Sequence, residues 1–533
     1  MEHRQTYNYF ILLVLSLLVL LKFNSGELQP WDEALYACRA ESITASGNYI
    51  DQTNESLGGL YSSTSPPLTV WAINLNMRIF GNNLFAIRLF SVICSIISLI
   101  LIYNIAKFAT ERNAIIAPIL LATSILWNYY SRQAMTEIPL NMFFLLNLWL
   151  LMRYHHQTDN SRSTIYLIAI ALSFAGGMLT KITISLFPLA FALIFAIQYH
   201  KWKRLLAAYF CGILLGSLWY INMGLSHGTE FWNALFLPQI TTAIEGNSRL
   251  GGIGYYINNL LISQPLTILL PFSIFRRNHT FNSKVFLIWF ALMFAVLGVS
   301  VTKNPHYVTY LLPSSILLIV CYFDKINIKR DLIFILFAIF WSFSEEFRHG
   351  LRGLIHLQIT NSWLIFAMLE IVCYIFRNVI PSHKREACII VFAVLCGRIM
   401  FTNLIIPTGN TFGAKPLVEK MVSLDADSAI YVYHRYNDGD SLRPQLEYYL
   451  NHSRNKFSIS NIAIHKNIYQ LKALKSLENN PDRYVVYLIP DRNIPTIDAT
   501  IEEITRRRTV LFSSYSYILF SKIIKPQQQY LNL

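Results

Sequence analysis

The chain has 533 residues, of which 54% are hydrophobic and only 14% charged, with a mean hydropathy of +0.40. Soluble domains carry about a quarter charged residues, so this balance excludes an ordinary water-soluble protein and identifies an integral membrane protein. The net charge of +14 does not point to nucleic acid, because the basic residues form short clusters between apolar runs, as orientation signals and anionic-lipid contacts do.

The first apolar run, 8–23, resembles the core of a signal peptide, but Phe23-Asn24-Ser25-Gly26-Glu27 lacks a good small-x-small cleavage site, so an uncleaved span is expected. A polar, Pro-containing first loop, 23–84, follows, with Trp31-Asp32-Glu33 early and Ser65-Pro66-Pro67-Leu68 late. Adjacent carboxylates beside a bilayer are costly unless water or a cation reaches them, which marks this loop as a candidate site. Further spans are expected at 85–107, 113–130, 138–153, 164–180, 182–198, 204–221, 255–275, 285–301, 307–323, 331–343, 360–376 and 386–403, about thirteen in all.

With the Arg4 end in the cytoplasm, alternation leaves 17 basic residues in the inner loops and nine in the longer outer ones. That asymmetry sets the orientation. The first loop, Glu137, Lys181, the loop 222–254, the turn Lys303 to His306 and the tail then share the outer face. Of the seven cysteines most lie in apolar runs, and their spacing fits neither a disulfide framework nor a metal site. From about 404 the composition turns polar. Runs at 429–433, 484–489 and 515–520 read as strands, and 442–450 and 469–477 as helices, which predicts a small α/β domain at 404–533 behind a membrane domain at 1–403.

A series of landmarks runs through almost the whole chain in order: Asp32-Glu33-Ala34-Leu35-Tyr36, Ser46-Gly47-Asn48-Tyr49, Pro66-Pro67-Leu68 and Phe80-Gly81-Asn82-Asn83-Leu84. Then come Tyr130-Ser131-Arg132, Glu137-Ile138-Pro139, Leu179-Thr180-Lys181, Phe231-Trp232, Tyr255-Tyr256, Thr302-Lys303-Asn304-Pro305-His306-Tyr307 and, in the tail, Arg443-Pro444-Gln445-Leu446-Glu447-Tyr448-Tyr449-Leu450. In this order they resemble the polyprenyl-phosphate-dependent glycosyltransferases of the GT-C fold, namely the bacterial aminoarabinose (lipid A) transferases and the protein O-mannosyltransferases. The resemblance implies a polytopic helical GT-C membrane domain and transfer of a sugar, with inversion, from an undecaprenyl-phosphate-type donor. The implied setting is the periplasmic side of a bacterial inner membrane, with lipid A, another glycan or protein as acceptor.

Such transfer needs cations to stabilise a departing phosphate and, for a hydroxyl acceptor, a carboxylate to take its proton. Asp32 is the candidate base or acceptor-orienting group, with Glu33 as second choice; their alternative role is to open a helix. Glu137 matches the second acidic position of the resembled family, although beside Pro139 it is also placed to start a helix. Lys181 stands between two apolar runs and needs a partner, which the leaving phosphate supplies in the resembled family; snorkelling to headgroups is the alternative. Lys303 and Arg132 add charge to the phosphate site and Tyr307 adds a hydroxyl, whereas a lone membrane-proximal histidine such as His306 reads first as structural.

The chain departs from the resembled pattern at the divalent-metal site. The Glu and His ligands expected there read Thr64 and Gln239. A neutral hydroxyl and amide suit zinc poorly, so no metal is expected and the lipid-linked donor is the one cofactor-like group. The loop 222–254 carries Glu245, Arg249 and several glycines, and the resemblance makes it, with Tyr255 and Tyr256, a mobile cover over the carrier lipid. A transporter or flippase of a lipid-linked sugar is the alternative from another class, and an inactive scaffold relative is a third. The concentration of polar landmarks on one face and the absence of repeats favour the transferase.

Overall fold

The structure, a computed structural model, describes residues 2–53, 59–60, 64–199, 202–244, 254–275, 278–300, 303–323, 413–424, 428–434, 443–453, 458–464, 481–488, 504–505, 508–513 and 517–523. The chain divides into two compact units. One comprises Met1–Asn24 with Arg39–Thr408, the other Ser25–Cys38 with Gly409–Leu533.

The first unit is helical. Its elements are α1 (Glu2–Leu20), the later part of α2 (Asp32–Ser46), α3 (Leu68–Phe80), α4 (Leu84–Ala109), α5 (Ile116–Ala122), α6 (Ile125–Ser131), α7 (Glu137–His156) and α8 (Asn160–Met178). There follow α9 (Ile182–Ser185), α10 (Pro188–Tyr199), α11 (Trp202–Ile244), α12 (Gly254–Ser263), α13 (Leu270–Ile274), α14 (Phe281–Val299) and α15 (Leu312–Tyr322). Among the described residues, Leu84–Ala109, Trp202–Leu237 and Phe281–Val299 are long and apolar enough to cross a membrane by length and composition. The three spans expected at 331–343, 360–376 and 386–403 lie outside the described residues.

Several stretches read as single spans are interrupted. The 113–130 run divides into α5 and α6 at Thr123-Ser124, whose hydroxyls donate to the carbonyls of Ile119 and Leu120 and satisfy the end of α5. The 255–275 run breaks at Gln264-Pro265, where the ring removes a helix donor and a short 3-10 turn takes over. The loop expected at 222–254 is another correction. α11 continues through it to Ile244, turning at Gly228, whose φ of 60° and ψ of −140° are open to glycine at little cost. Tyr255 and Tyr256, assigned to that loop, lie in α12, with Tyr256 fully buried in the core. Glu245 and Arg249 fall outside the described residues.

The first loop is anchored by polar contacts. Trp71 donates its indole N–H to the Tyr49 carbonyl at 2.6 Å and Trp219 to that of Ile50 at 2.8 Å. Between them Asp51 meets His227 at 2.7 Å, one residue before the α11 kink. Burial raises the Asp51 carboxyl, but bonds from Thr53 and His227 outweigh it and hold the group below its usual value.

Aromatic packing gathers several helix termini at one end of the unit. The end of α4 meets the end of α7 through Phe108 and His156, and Tyr199 of α10 packs on both His155 and Phe281 at the start of α14. Three cation–aromatic pairs lie on these termini or beside them: Lys107 over Tyr103, Arg153 over Trp149 and Lys203 over Trp202.

The second unit holds a five-stranded sheet. Its strands are β1 (Ser428–His434), β2 (Ser458–Ile464), β3 (Tyr484–Leu488), β4 (Val510–Ser513) and β5 (Tyr517–Phe520), in the order β2-β1-β3-β5-β4. The first three are mutually parallel in neighbouring pairs, and β5 runs antiparallel to both β3 and β4. Alternation gives the sheet two apolar faces. Ala429, Tyr431, Val486 and Leu519 pack with helices α16 (Ala414–Ser423) and α17 (Arg443–Asn451), whereas Ile430, Val432, Val485 and Phe520 form the opposite cluster. The strands read at 429–433, 484–489 and 515–520 and the helix read at 442–450 correspond to β1, β3, β5 and α17; β2 and β4 add two more, and the helix read at 469–477 lies outside the described residues.

An N-terminal segment is stitched into this unit. Glu27, 3% exposed, accepts from the backbone N–H groups of Gly413 and Ala414 and from Gln445, so it caps α16 from 386 residues upstream. Gly413 has no side chain with which to do so. Burial pushes the Glu27 carboxyl above its usual value, against the pull of these donors. Replacing Glu27 by Ala removes charge-assisted bonds worth about 1.5–3 kcal/mol each and leaves buried donors unmatched. The expected result is an earlier unfolding transition of this unit and faster cleavage within 25–38 under limited proteolysis, with the apolar helices unchanged.

Candidate functional site

In the first unit three elements bring polar side chains together. α7 opens with Glu137, and Pro139 in its first turn lacks an N–H where none is required. α8 ends at a break. Thr180 returns its hydroxyl to the Gly176 carbonyl, and Lys181, in extended backbone, becomes the residue that precedes α9. Pro305 starts a 3-10 turn to Tyr310, which presents His306 and Tyr307.

Glycine at 176 sets how near the first two elements lie. A Cβ there would come within 2.5 Å of the Phe143 ring, so the absence of a side chain allows α8 to pack against α7 at that level. Leu68 donates its N–H to the Leu179 carbonyl and ties the start of α3 to the same break. Asn141 reaches from α7 to Thr309 at 3.4 Å, joining the 3-10 turn to the cluster.

The resulting geometry is an ion pair with a histidine beside it. Lys181 Nζ lies 2.7 Å from Glu137 Oε1, and His306 Nε2 stands 3.8 Å from the same oxygen. The Lys181 ammonium also lies 5.1 Å from the Tyr307 ring centre, so Tyr307 offers its π face to the cation. His306 packs edge-on against both Tyr307 and Tyr130.

The pair is asymmetric in access. Glu137 is 2% exposed, whereas the Lys181 side chain is 27% exposed. Glu137 Oε2 is buried with no hydrogen-bond partner among the described residues. The partly exposed Lys181 side chain is therefore the member of the pair that an incoming ligand can meet, while the second Glu137 oxygen is enclosed by the protein.

The other expected site residues are placed differently. Lys303 lies two residues before that turn, yet its ammonium donates to the carbonyls of Leu297, Gly298 and Ser300 and lies 5.1 Å from the Tyr256 ring centre. It closes the C-terminus of α14, where a cation suits the helix dipole. Arg132 is 1% exposed and donates to the carbonyls of Asn128 and Leu21. In the second unit, Asp32 stands half-buried in the first turn of α2, and Glu33 is fully buried with Oε2 accepting from Gln29 N–H at 2.7 Å. That bond is a helix-start role for Glu33. Thr64 supplies only a hydroxyl, and the side chain of Gln239 lies outside the described residues.

Sequence reasoning did not anticipate Glu27, Asp51 or His227. A lone acid in a loop carries no local signal for the element it will cap. The sequence reads His306 first as structural, and its place beside Glu137 becomes visible only when the 3-10 turn is folded.

The pair yields a stability prediction. Lys181→Met leaves the Glu137 charge buried and unmatched, costing about 3–5 kcal/mol, while Lys181→Met with Glu137→Leu recovers most of that loss. Thermal unfolding of the detergent-purified chain and its variants measures the cycle; additive losses would disprove the coupling.

Residues 64–222 match the protein family described as dolichyl-phosphate-mannose-protein mannosyltransferase. Among curated relatives, the undecaprenyl phosphate-alpha-4-amino-4-deoxy-L-arabinose arabinosyl transferase of Pseudomonas aeruginosa is 26% identical over 333 residues, covering 60% of each chain. An uncharacterized Aquifex aeolicus protein is 25% identical over 336 residues, 60% of this chain and 65% of that one. This chain thus spans a little under two thirds of these relatives. Crystal structures of ArnT from Cupriavidus metallidurans superpose with TM-scores of 0.67 (apo; 97% of this chain, 98% of that one) and 0.64 (bound to undecaprenyl phosphate; 98% of each), at 14% and 16% identity. The chain has the helical GT-C membrane fold of those structures and resembles the aminoarabinose transferases and O-mannosyltransferases.

Proposed function

We propose that this protein is a multi-pass bacterial inner-membrane glycosyltransferase that moves one sugar from a polyprenyl-phosphate carrier to an envelope acceptor, lipid A or another glycan or protein, on the periplasmic face. The observation that carries the reading is the Glu137–Lys181 pair at a helix break, with the lysine side chain partly exposed. The likeness to undecaprenyl-phosphate-dependent transferases supplies the carrier class.

In this reading the bond between the anomeric carbon and the carrier phosphate breaks as the acceptor oxygen attacks from the opposite face, which inverts the centre. The departing phosphate takes the bonding electrons, and Lys181 stabilises its charge. Glu137 holds Lys181 in place through Oε1. Asp32 is assigned to the acceptor on the sequence resemblance. A hydroxyl acceptor gives Asp32 its proton, whereas a phosphate acceptor is already ionised and is only oriented. Lys303 and Arg132 enter as sources of positive potential at longer range, since their own hydrogen bonds go to backbone carbonyls. No step passes through a metal, because a Thr and a Gln make a poor zinc pair.

The orientation, with N-terminus cytoplasmic and tail periplasmic, rests on the loop charges. The gathering of Lys107, Arg153 and Lys203 beside aromatic rings at one end of the helical unit supports it. Glu137 starts the helix that ends near Arg153, so the candidate site and this basic end are about 24 Å apart along α7.

Mass spectrometry of envelope lipids, glycans and proteins from cells with the wild-type chain, Asp32→Asn, Lys181→Met or no chain tests the reading. A one-sugar mass increment present only with the wild type is expected, and in vitro transfer by folded Lys181→Met falls about 100-fold or more. Wild-type levels of the increment in both variants would exclude the assigned roles. A lipid-linked sugar accumulating only on the cytoplasmic side in the deletion strain would favour a flippase.

A further inference from the structure

Glu137 has one cation at contact distance, and that cation is also the group an incoming anion meets. Lys181 Nζ donates to Glu137 Oε1 at 2.7 Å, and Glu137 Oε2 is buried with no hydrogen-bond partner among the described residues. When a phosphate draws on the Lys181 ammonium, one positive charge must serve two anions, one of them this buried carboxylate. A buried carboxylate whose cation is shared is costly unless a further donor or charge reaches it. His306 is the group in position to do so. Its Nε2 stands 3.8 Å from the oxygen that holds Lys181, about 1 Å beyond hydrogen-bond length.

The elements around the 3-10 turn set the charge state of His306. α6 brings Tyr129 and Tyr130 and, just past its end, Arg132, whose guanidinium donates to the carbonyls of Asn128 and Leu21. α7 brings Glu137, the break before α9 brings Lys181, and α12 brings Tyr255 and Tyr256. α15 has Cys321 and Tyr322 only at its far end, the turn itself has Tyr307 and Tyr310, and Lys303 donates to the end of α14. Among these groups Glu137 is the acid that attracts a charged imidazole. Burial pushes His306 down to about 4; Glu137 pulls it up, and the Lys181 charge pushes it down again. The imidazole is therefore neutral at pH 7 while Lys181 is unengaged. Its side chain is 16% exposed, so water can deliver a proton. An anion on Lys181 changes the balance. About 6 Å from the imidazole, one negative charge favours the imidazolium by a factor of about 100 at the effective dielectric of a protein, which raises the transition to about pH 6.

We infer that His306 is a positioning residue of this site: when an anionic ligand engages Lys181, His306 takes up one proton from water and closes onto Glu137 as its second cation. No covalent bond forms or breaks in this step. Binding of the anion and protonation of His306 then favour each other, and Glu137 stays compensated while Lys181 turns to the phosphate. The inference rests on the reading of Lys181 as the group that meets the carrier phosphate.

Isothermal titration calorimetry of the detergent-purified full chain with citronellyl methyl phosphate tests it. The probe is a phosphodiester, as is the linkage of a polyprenyl-phosphate sugar, so its single charge is fixed across the pH range used. Paired buffers of unlike ionisation enthalpy report the protons taken up on binding. The wild type is expected to bind about tenfold more tightly at pH 5 than at pH 8 and to take up about 0.8 proton at the lower pH. His306→Gln is expected to lose both the gain and the uptake, whereas His227→Gln, in the first-loop contact, keeps both. Wild-type binding without proton uptake at the lower pH would overturn the inference with no variant needed. So would uptake that survives in His306→Gln with wild-type thermal unfolding, or that vanishes only in His227→Gln. Lys181→Met with Glu137→Leu separates this inference from the reading beneath it. If that chain binds the probe as tightly as the wild type, the anion does not sit on Lys181, and the transfer reading falls together with the role of His306. If it binds more weakly while the wild type takes up no proton, the transfer reading stands and the role of His306 alone is lost.

Discussion

The Glu137–Lys181 ion pair is the interaction on which the candidate site depends. A carboxylate 2% exposed in an apolar helical unit is tolerable only with a cation at contact distance, and the 2.7 Å separation meets that need. The demand reaches back into the fold. α8 must end just before Thr180, the chain must turn there, and Gly176 must let α8 approach α7. His306 and the face of Tyr307 complete the surroundings, held by a 3-10 turn that Asn141 ties to α7. The polar cluster is therefore a consequence of how three backbone interruptions coincide.

Such interruptions recur in the helical unit. Thr123-Ser124, Thr180-Lys181, Gln264-Pro265 and Asn304-Pro305 each end or begin a helix within an apolar run. Each frees backbone groups that must be satisfied inside the protein, and each is satisfied by hydroxyl, amide or ammonium side chains nearby. Lys303 shows the consequence most directly. Its place in sequence suits a phosphate ligand, yet three carbonyls at the end of α14 claim its protons. Charge in such a unit goes first to backbone satisfaction, and only what remains reachable, as in Lys181, is available to a ligand.

The two ends of the helical unit thus differ in chemistry. One holds the buried acid and its lysine; the other gathers Lys107, Arg153 and Lys203 on aromatic rings. The separation follows from α7, which opens with Glu137 and carries Arg153 in its last turn. In the second unit a buried carboxylate serves structure instead. Glu27 caps α16 across nearly the whole chain length and fixes an N-terminal segment to α16 and α17.

Composition, hydropathy and motif order were enough to give a helical membrane protein, its resemblance to polyprenyl-phosphate transferases, and Glu137 and Lys181 as residues to watch. Apolar length and residue type are local properties, so they can be read along the chain. The kink at Gly228 in place of a loop, the capture of Lys303 and Arg132 by carbonyls, the His306 contact, the Asp51–His227 pair and the role of Glu27 came only from the folded chain. Each depends on which atoms arrive within about 3 Å of one another from distant segments, and hydrogen bonds and ion pairs decay over that distance. Periodicity says which face of a helix is buried; it does not say which polar group waits there. That choice was made by the packing of α7, α8 and the turn after α14, and it decided which cation was left for chemistry.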